Sequence, residues 1–424
     1  MTSKTQHNKE AYVWMWLPTA LEPTVIGKMV LAEGKYHFTY GKSYLTRTDA
    51  LTLSPMELPL SAQTFSPIGL HEMPACLRDA SPDAWGRRLI DYQFPHLNPN
   101  ELDYLLLSGS DRIGALDFQH SATEYVAREA EPIQLEAVEE LAEMLEADQP
   151  PNPKLIPILM HGTSIGGTRP KCLIEMNCKA YIAKFSLSSD QHTFVKNEYI
   201  AMRLAAKMGL TVAPVLLKSI HGRDILLVER FDRTIQQNGM YRKHMLSALS
   251  LLGLHEMEAR YARYIDFADV IRQYSSDPKT SLRELFSRLV FNVLIGNTDD
   301  HARNHAAFWN GHHLTLTPAY DLSPQLRVGH EATQAMMIDG GSGNFATLKN
   351  VFSIHRHFLL SENDARDIIQ QQLNTLETHW VNICDEANLP ALERSRLWGS
   401  TVKSEYALQG WTLFSSFRHA KMKK

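Results

Sequence analysis

Apolar and polar positions first fall into a strand pattern near the N-terminus. Val25–Leu31 is an apolar run, and Tyr36, Phe38 and Tyr40 alternate with His37 and Thr39, as in a half-buried strand. Glu33-Gly34-Lys35 between them predicts a hairpin, and the β-rich pattern continues to about Phe65. Ser81-Pro82 predicts a helix start, with Ser capping and Pro in the first turn. Trp85, Leu89 and Tyr92 then share a face and leave Arg87 and Arg88 free. Leu105–Asp117 predicts an apolar helix, a Gly-rich turn and a strand. Phosphate binding is the alternative for those glycines, but their spacing matches no phosphate loop. Leu135, Val138, Leu141 and Leu145 mark an amphipathic helix with a solvated acidic face, and Gln149-Pro-Pro-Asn-Pro153 cannot continue it. The main domain boundary is placed there.

Beyond that boundary, Cys172–Met176 and Tyr181–Phe185 read as strands joined by the turn Asn177-Cys178-Lys179. A helix is expected over Thr193–Met208, then strands Val215–Ile220 and Ile225–Phe231 around His221–Asp224. From about residue 243 the pattern is mainly helical. Ser281-Leu-Arg-Glu284 has capping-box spacing, and Leu282, Leu285, Phe286, Leu289, Val293 and Leu294 form a broad apolar face. Such a helix is a rigid support for the loop Asn297–His305. Phe308-Trp309 and Leu314 with Leu316 flank Asn310-Gly311, a short hairpin leading to Asp321.

A chain of 424 residues, 44% hydrophobic and 21% charged, has room for two or three globular domains. A net charge of −4 argues against coating nucleic acid by bulk charge, although a local basic face stays open. Cys76, Cys172, Cys178 and Cys384 follow no zinc or redox spacing and fit a reducing cytosol. The N-terminus has no apolar signal core, and no run approaches the roughly 20 apolar residues of a membrane span. The expectation is a soluble cytoplasmic protein without membrane partners.

The candidate chemistry centres on Asp299, Asn304 and Asp321. A carboxylate, an Asn five residues later, a short hairpin and a second carboxylate is the layout of a protein-kinase phosphoryl-transfer centre. Asp299 would accept or orient the substrate hydroxyl, and Asn304 and Asp321 would hold Mg²⁺ against ATP phosphates. A solvated loop of ordinary turn residues is the plain alternative. Lys184 lies inside an apolar strand, where an ammonium is unwelcome unless paired or at a site; an edge or outward-facing lysine is the other reading. Glu198 on the following helix is its candidate partner. Gly166 and Gly167, in the loop His161–Lys171, let backbone N–H groups approach ATP phosphates, or simply make a flexible hairpin tip. Glu229 and Phe231 fall where a hinge would meet adenine, or where a plain connector would run. The histidines at 301, 305, 312 and 313 match no zinc spacing; His301 would contact nucleotide or pin the loop. Asp300, beside Asp299, is an extra carboxylate that reads as a solvated neighbour rather than a second base.

Several stretches together resemble HipA-type serine/threonine kinases, the toxin half of bacterial toxin–antitoxin pairs. They are Asp79–Arg88, Asp111–Ala115, Ser164–Gly167 with Lys171, Asn197–Tyr199, Val228–Arg233, Thr298–Asn304 and Pro318–Pro324, in the family's order. The resemblance implies an α+β fold, a β-rich and helical N-terminal subdomain over 1–150 followed by a bilobal protein-kinase-like core. Its small lobe would span 151–235 and its largely helical large lobe 236–424. By motif position Lys184 would hold ATP phosphates, Asp299 would be the catalytic base, and Asn304 and Asp321 would bind Mg²⁺. Ser164 falls on the serine that such kinases autophosphorylate, with Thr163 a second hydroxyl beside it. A phosphoserine there would add nearly two negative charges to the loop that should hold ATP and so silence the enzyme. The family implies an aminoacyl-tRNA synthetase as substrate, a helix-turn-helix antitoxin (HipB-like) as partner, and operator DNA bound through that antitoxin. Thr168-Arg-Pro170 departs from the residues that family loops carry there. The competing readings are a small-molecule kinase on the same scaffold and a catalytically vestigial antitoxin-binding regulator.

Overall fold

The hairpin expected at Glu33-Gly34 forms because both residues take left-handed backbone, φ 52° and 77°, the combination a two-residue turn needs to match strand twist. It joins β2 (Thr24–Ala32) to β3 (Lys35–Tyr40). The computed structural model describes residues 7–128, 171–186, 193–220, 222–326, 331–338 and 343–411. The expected helix at 135–145, the proline-rich linker at 149–153 and the loop carrying Thr163, Ser164, Gly166 and Gly167 lie outside the described residues. The chain divides into two compact units, each assembled from separate segments. One takes Met1–Ser189, Lys218–His255 and Ala307–His313; the other takes Asp190–Leu217, Glu256–Ala306 and Leu314–Lys424.

In the first unit, β1 (Glu10–Met15), β4 (Thr64–Phe65) and β5 (Leu116–Gln119) complete an antiparallel sheet in the order β4-β3-β2-β1-β5. Tyr36, Phe38 and Tyr40 point into its core, and His37 and Thr39 do not. The next helix, Ala84–Gln93, starts two residues later than Ser81-Pro82 suggests. Its cap is Asp83, whose carboxylate accepts from Gly86 N at 3.1 Å. Trp85 and Leu89 are buried as expected. Arg87 is not free: its guanidinium forks onto Glu101 at 2.5 and 2.7 Å and lies over the Tyr104 ring.

A second sheet in this unit runs β6 (Lys171–Met176), β7 (Lys179–Phe185), β9 (Arg223–Glu229) and β8 (Val215–Ile220), with Lys218–Ile220 of β8 belonging here. Asn177 and Cys178 form its first turn with φ 53° and 58°. One face buries Cys172, Ile174, Tyr181, Ala183, Phe185, Ile225 and Leu227 together. Strands then continue as β10 (Arg233–Gln236), β11 (Gly239–Arg242) and β12 (Met245–Ser247), the last inside the stretch expected to be mainly helical. The β-branched and aromatic residues Thr234, Ile235 and Tyr241 suit that pairing.

The Gly-rich turn at 109–114 serves structure. Gly114 has φ 81°, and its N–H donates to Asp232 Oδ2 at 2.8 Å. Arg233 donates to Gly114 O at 2.8 Å, and Arg230 to Arg112 O at 2.7 Å. Asp111 Oδ1 is 2.9 Å from Arg230 and 2.7 Å from Arg233. Those two guanidiniums, with Arg242 near, hold the Asp111 carboxyl far below the usual carboxylate range against its burial. Two sequence motifs, Asp111–Ala115 and Val228–Arg233, are thus the two halves of one buried ionic knot.

In the second unit the central helix runs Pro278–Ile295 and buries Leu282, Leu285, Phe286, Leu289, Val290, Phe291, Val293 and Leu294. Each such side chain removed from water is worth about 1.5–3 kcal/mol. It begins four residues before the Ser281–Glu284 pattern suggests, because Asp277 caps Thr280 N and Pro278 occupies the first turn. Ser281 instead bonds Ser275, and Glu284 pairs with Arg288 at 2.8 Å. The helices Phe194–Lys207, Tyr264–Tyr274 and Glu362–Glu386 belong to the same unit. Among the described residues no helix is long and apolar enough to cross a membrane.

Candidate active site

The central helix of the second unit delivers the candidate loop through Gly296. That residue takes the left-handed cap, φ 69°, and a Cβ there would meet Thr401 O at 2.7 Å, so only glycine fits. Asn297 N then bonds Asn292 O at 2.9 Å, and Gln325 N reaches Gly296 O at 3.0 Å. Thr298 O accepts from Ala335 N and Asp300 O from Met336 N, at 3.1 and 3.2 Å. The loop is therefore pinned by backbone on both sides of Asp299.

Asp299 and Asp300 point opposite ways. Asp299 is exposed, whereas Asp300 is 1% exposed. The expectation of a solvated Asp300 is overturned: its carboxylate accepts from His305 Nε2 at 2.7 Å and from the Tyr264 hydroxyl. The backbone turns tightly here, His301 N bonding Asp299 O at 2.9 Å, with Asp300 buried and Asp299 exposed. The Asp299 carboxyl sits above its ordinary value. Partial burial is the main cause, the nearby His301 imidazole opposes it, and the charges of Asp321 and then Asp300 add to the rise.

Asn304 ends a 3₁₀ turn, Ala302–Asn304. Its N bonds His301 O at 2.8 Å, and its Nδ2 donates to Asp299 O at 3.1 Å. This turns the amide oxygen into the end suited to a cation. Arg303 pairs with Glu256 at 2.6 Å, and the Tyr320 hydroxyl donates to Arg303 O at 2.7 Å. Tyr320 precedes Asp321, so the second carboxylate is tethered to the same loop. Asp321 takes left-handed backbone, φ 57°, a conformation that costs a residue with a Cβ about 1–2 kcal/mol. The hairpin expected around Asn310-Gly311 is present as β13 (Ala306–Trp309) and β14 (Leu314–Leu316), and Thr317 N closes it on Ala306 O at 3.0 Å. The structure thus brings Asp299, His301, Asn304 and Asp321 together. Among the described residues no group of three or more His, Cys, Asp or Glu side chains is arranged to hold a metal ion. A carboxylate with an amide oxygen, plus phosphate and water oxygens, is nonetheless a set that fits Mg²⁺.

The other candidates are carried by other elements. Lys184 is on β7, an inner strand, which removes the edge-strand reading. Its partner in register on β6 is Lys171, and on β9 Leu226. Opposed residues share a sheet face, so both lysines lie opposite the apolar cluster. Lys171 is buried, with its Nζ 3.6 Å from Asp83 Oδ2. Motif matching singled out both stretches but not this pairing, since the residues are far apart in sequence. Glu198 is buried on the helix Phe194–Lys207 of the second unit. Glu229 pairs with Lys179 at 2.7 Å, and Phe231 meets Phe308 edge-on at 6.0 Å.

Comparison with known proteins agrees with this architecture. Residues 163–380 match the family model of the HipA-like C-terminal domain, and residues 17–119 match that of the HipA N-terminal domain. The first match alone covers more than half of the chain, and the chain belongs to the HipA-like family. It is 29% identical over 201 residues to the serine/threonine-protein kinase toxin HipA of Shewanella oneidensis, covering 42% of this chain and 46% of that one. Similarity to the Sinorhizobium fredii protein Y4mE is 34% identity over 168 residues, 36% of this chain and 40% of that one. The matched stretches thus span less than half the length of these two relatives. The fold matches HipA of the Shewanella oneidensis toxin–antitoxin system, solved with HipB and operator DNA: TM-score 0.70, 20% identity, 92% of this chain and 96% of that one.

Proposed function

We propose that this chain is an ATP- and Mg²⁺-dependent serine/threonine protein kinase, a HipA-like toxin of the cytoplasm. The observation that carries this reading is the part-exposed Asp299, its carboxyl raised by partial burial and by the Asp321 charge, with the Asn304 amide donating to its backbone carbonyl. In the reaction, the substrate hydroxyl oxygen forms a bond to the γ-phosphorus and the bond from phosphorus to the ADP oxygen breaks. Asp299 takes the hydroxyl proton and passes it to solvent. Mg²⁺, when bound, would neutralise charge on the phosphate oxygens. Asn304 and Asp321 would hold it. Lys184 would hold the α- and β-phosphates, with Glu198 as its supporting partner and Gly166 and Gly167 covering the phosphates. Glu229 and Phe231 would contact adenine, and His301 would contact nucleotide or pin the loop.

The small lobe over 151–235 and the large lobe over 236–424 would carry these roles after an N-terminal subdomain over 1–150. Autophosphorylation at Ser164, or at Thr163 beside it, would silence the enzyme. The substrate class is an aminoacyl-tRNA synthetase. The partner is a HipB-like helix-turn-helix antitoxin that carries the complex to operator DNA, an expectation supported by the solved Shewanella complex. The test is phosphopeptide mapping of cell lysate incubated with the chain, ATP and Mg²⁺, set against Asp299→Asn. Synthetase peptides phosphorylated only by the wild type bear the reading out. Identical labelling by both proteins would contradict it.

A further inference from the structure

The buried side of the Asp299 loop is more ordered than a bystander needs to be. Asp300 Oδ1 is 2.7 Å from His305 Nε2, and Asp300 Oδ2 accepts a hydrogen bond from the Tyr264 hydroxyl. Tyr264 Oη is also 3.1 Å from His305 Nε2 and accepts from Asn292 Nδ2 at 3.5 Å. Asn292 Oδ1 in turn accepts from Asn297 Nδ2 at 3.1 Å. Tyr264 is fully buried, and Asp300 and His305 are almost so. The His305 ring packs edge-on against Tyr264 at 5.3 Å and beside Phe267 at 6.2 Å. Fully satisfied buried networks of this kind select one geometry, since any loosening leaves a polar group without a partner.

The geometry of the clasp sets the geometry outside. Asp300 and His305 are the inward neighbours of Asp299 and Asn304. The inner pair closes at 2.7 Å, residues Ala302–Asn304 between form a 3₁₀ turn, and Asn304 Nδ2 lies 3.1 Å from Asp299 O. We infer that Asp300, His305 and Tyr264 form a buried clasp of positioning residues that sets the spacing of the proton-accepting Asp299 and the cation-binding Asn304. None of the three touches substrate. The inference rests on the kinase reading above and adds to it the residues that hold its reacting groups in place.

The test uses the full chain, Mn²⁺ as a spin probe for Mg²⁺, and a non-hydrolysable ATP analogue. His305→Leu opens the clasp; it should weaken Mn²⁺ binding, read by electron paramagnetic resonance, by roughly 10–100-fold, the usual effect of losing an outer partner. Tyr264→Phe should weaken it by less. Analogue affinity measured in chelator should stay within about twofold, and kcat should fall while KM for ATP holds. His305→Gln keeps a donor near the Nε2 position and should recover most of the loss, which a general loosening of the core would not allow. Unchanged Mn²⁺ affinity in the folded variants, no recovery by His305→Gln, or an equal loss of analogue affinity would each overturn the clasp. Wild-type protein that holds neither Mn²⁺ nor analogue would overturn the kinase reading and the clasp's role in it, whereas wild-type binding with unaltered variants removes the clasp alone.

Discussion

Asp300 and His305, five residues apart, meet at 2.7 Å inside the second unit, while the residues preceding each, Asp299 and Asn304, meet on its outer side at 3.1 Å. One loop therefore carries an inner pair of bonded side chains and an outer contact from the Asn304 amide to the Asp299 backbone carbonyl.

The charges around Asp299 give a pH signature. Its carboxyl is raised by burial, by Asp321 and by Asp300, and lowered by His301. A base must be ionised, so activity should be lost as pH falls through this raised value, at a higher pH than an ordinary aspartate would give. Carbon-13 titration of the Asp299 carboxyl should show a lower midpoint in Asp321→Asn and a higher one in His301→Ala. A midpoint unmoved by either change would mean that the charges do not communicate.

Gly296 should tolerate no side chain. Gly296→Ala adds a Cβ 2.7 Å from Thr401 O in left-handed backbone. A loss of about 1–3 kcal/mol in urea unfolding is expected, with displacement of the Asp299 loop.

Asp111 ties Arg230 and Arg233 within the first unit. Asp111→Ala leaves two buried guanidiniums short of a partner, and breaking such a pair costs about 3–5 kcal/mol. Thermal melting should show the loss, with Asp232 keeping part of the pairing to both guanidiniums.

His244 predicts an acid-sensitive first unit. Burial lowers its pKa from 6.5 to about 4, and its Nε2 donates to Leu53 O at 2.7 Å. The unfolded state gains a proton first, so stability is complete above about pH 6.5 and declines as pH falls to about 4. The span is worth about 3 kcal/mol at 1.36 kcal/mol per unit. His244→Gln should flatten that part of the stability profile.

Much of this architecture was legible from pattern. The β2–β3 hairpin follows from alternating Tyr36, Phe38 and Tyr40 plus a Gly turn, and the central helix from its apolar face. Helix starts were misplaced because Asp83 and Asp277 outrank nearby serines as caps, a choice settled by which oxygen reaches the free N–H groups. The strands at 233–242 carry no clear apolar alternation, and Arg233 is buried there by pairing with the distant Asp111. In the same way Asp300 looked solvated, since nothing local reveals that Tyr264, thirty-six residues earlier, supplies its partner. Spacing singles out Asp299, Asn304 and Asp321 as candidates. Their supports are contacts between distant segments, which spacing does not encode.

Phosphoryl transfer by this chain can be read by intact-mass measurement after incubation with ATP and Mg²⁺. Wild-type protein should gain one phosphate, mapped to Ser164 or Thr163, and Asp299→Asn should gain none while still binding ATP. Wild-type protein that gains no phosphate and binds no ATP, or Asp299→Asn that is labelled as fast as wild type, would contradict the account.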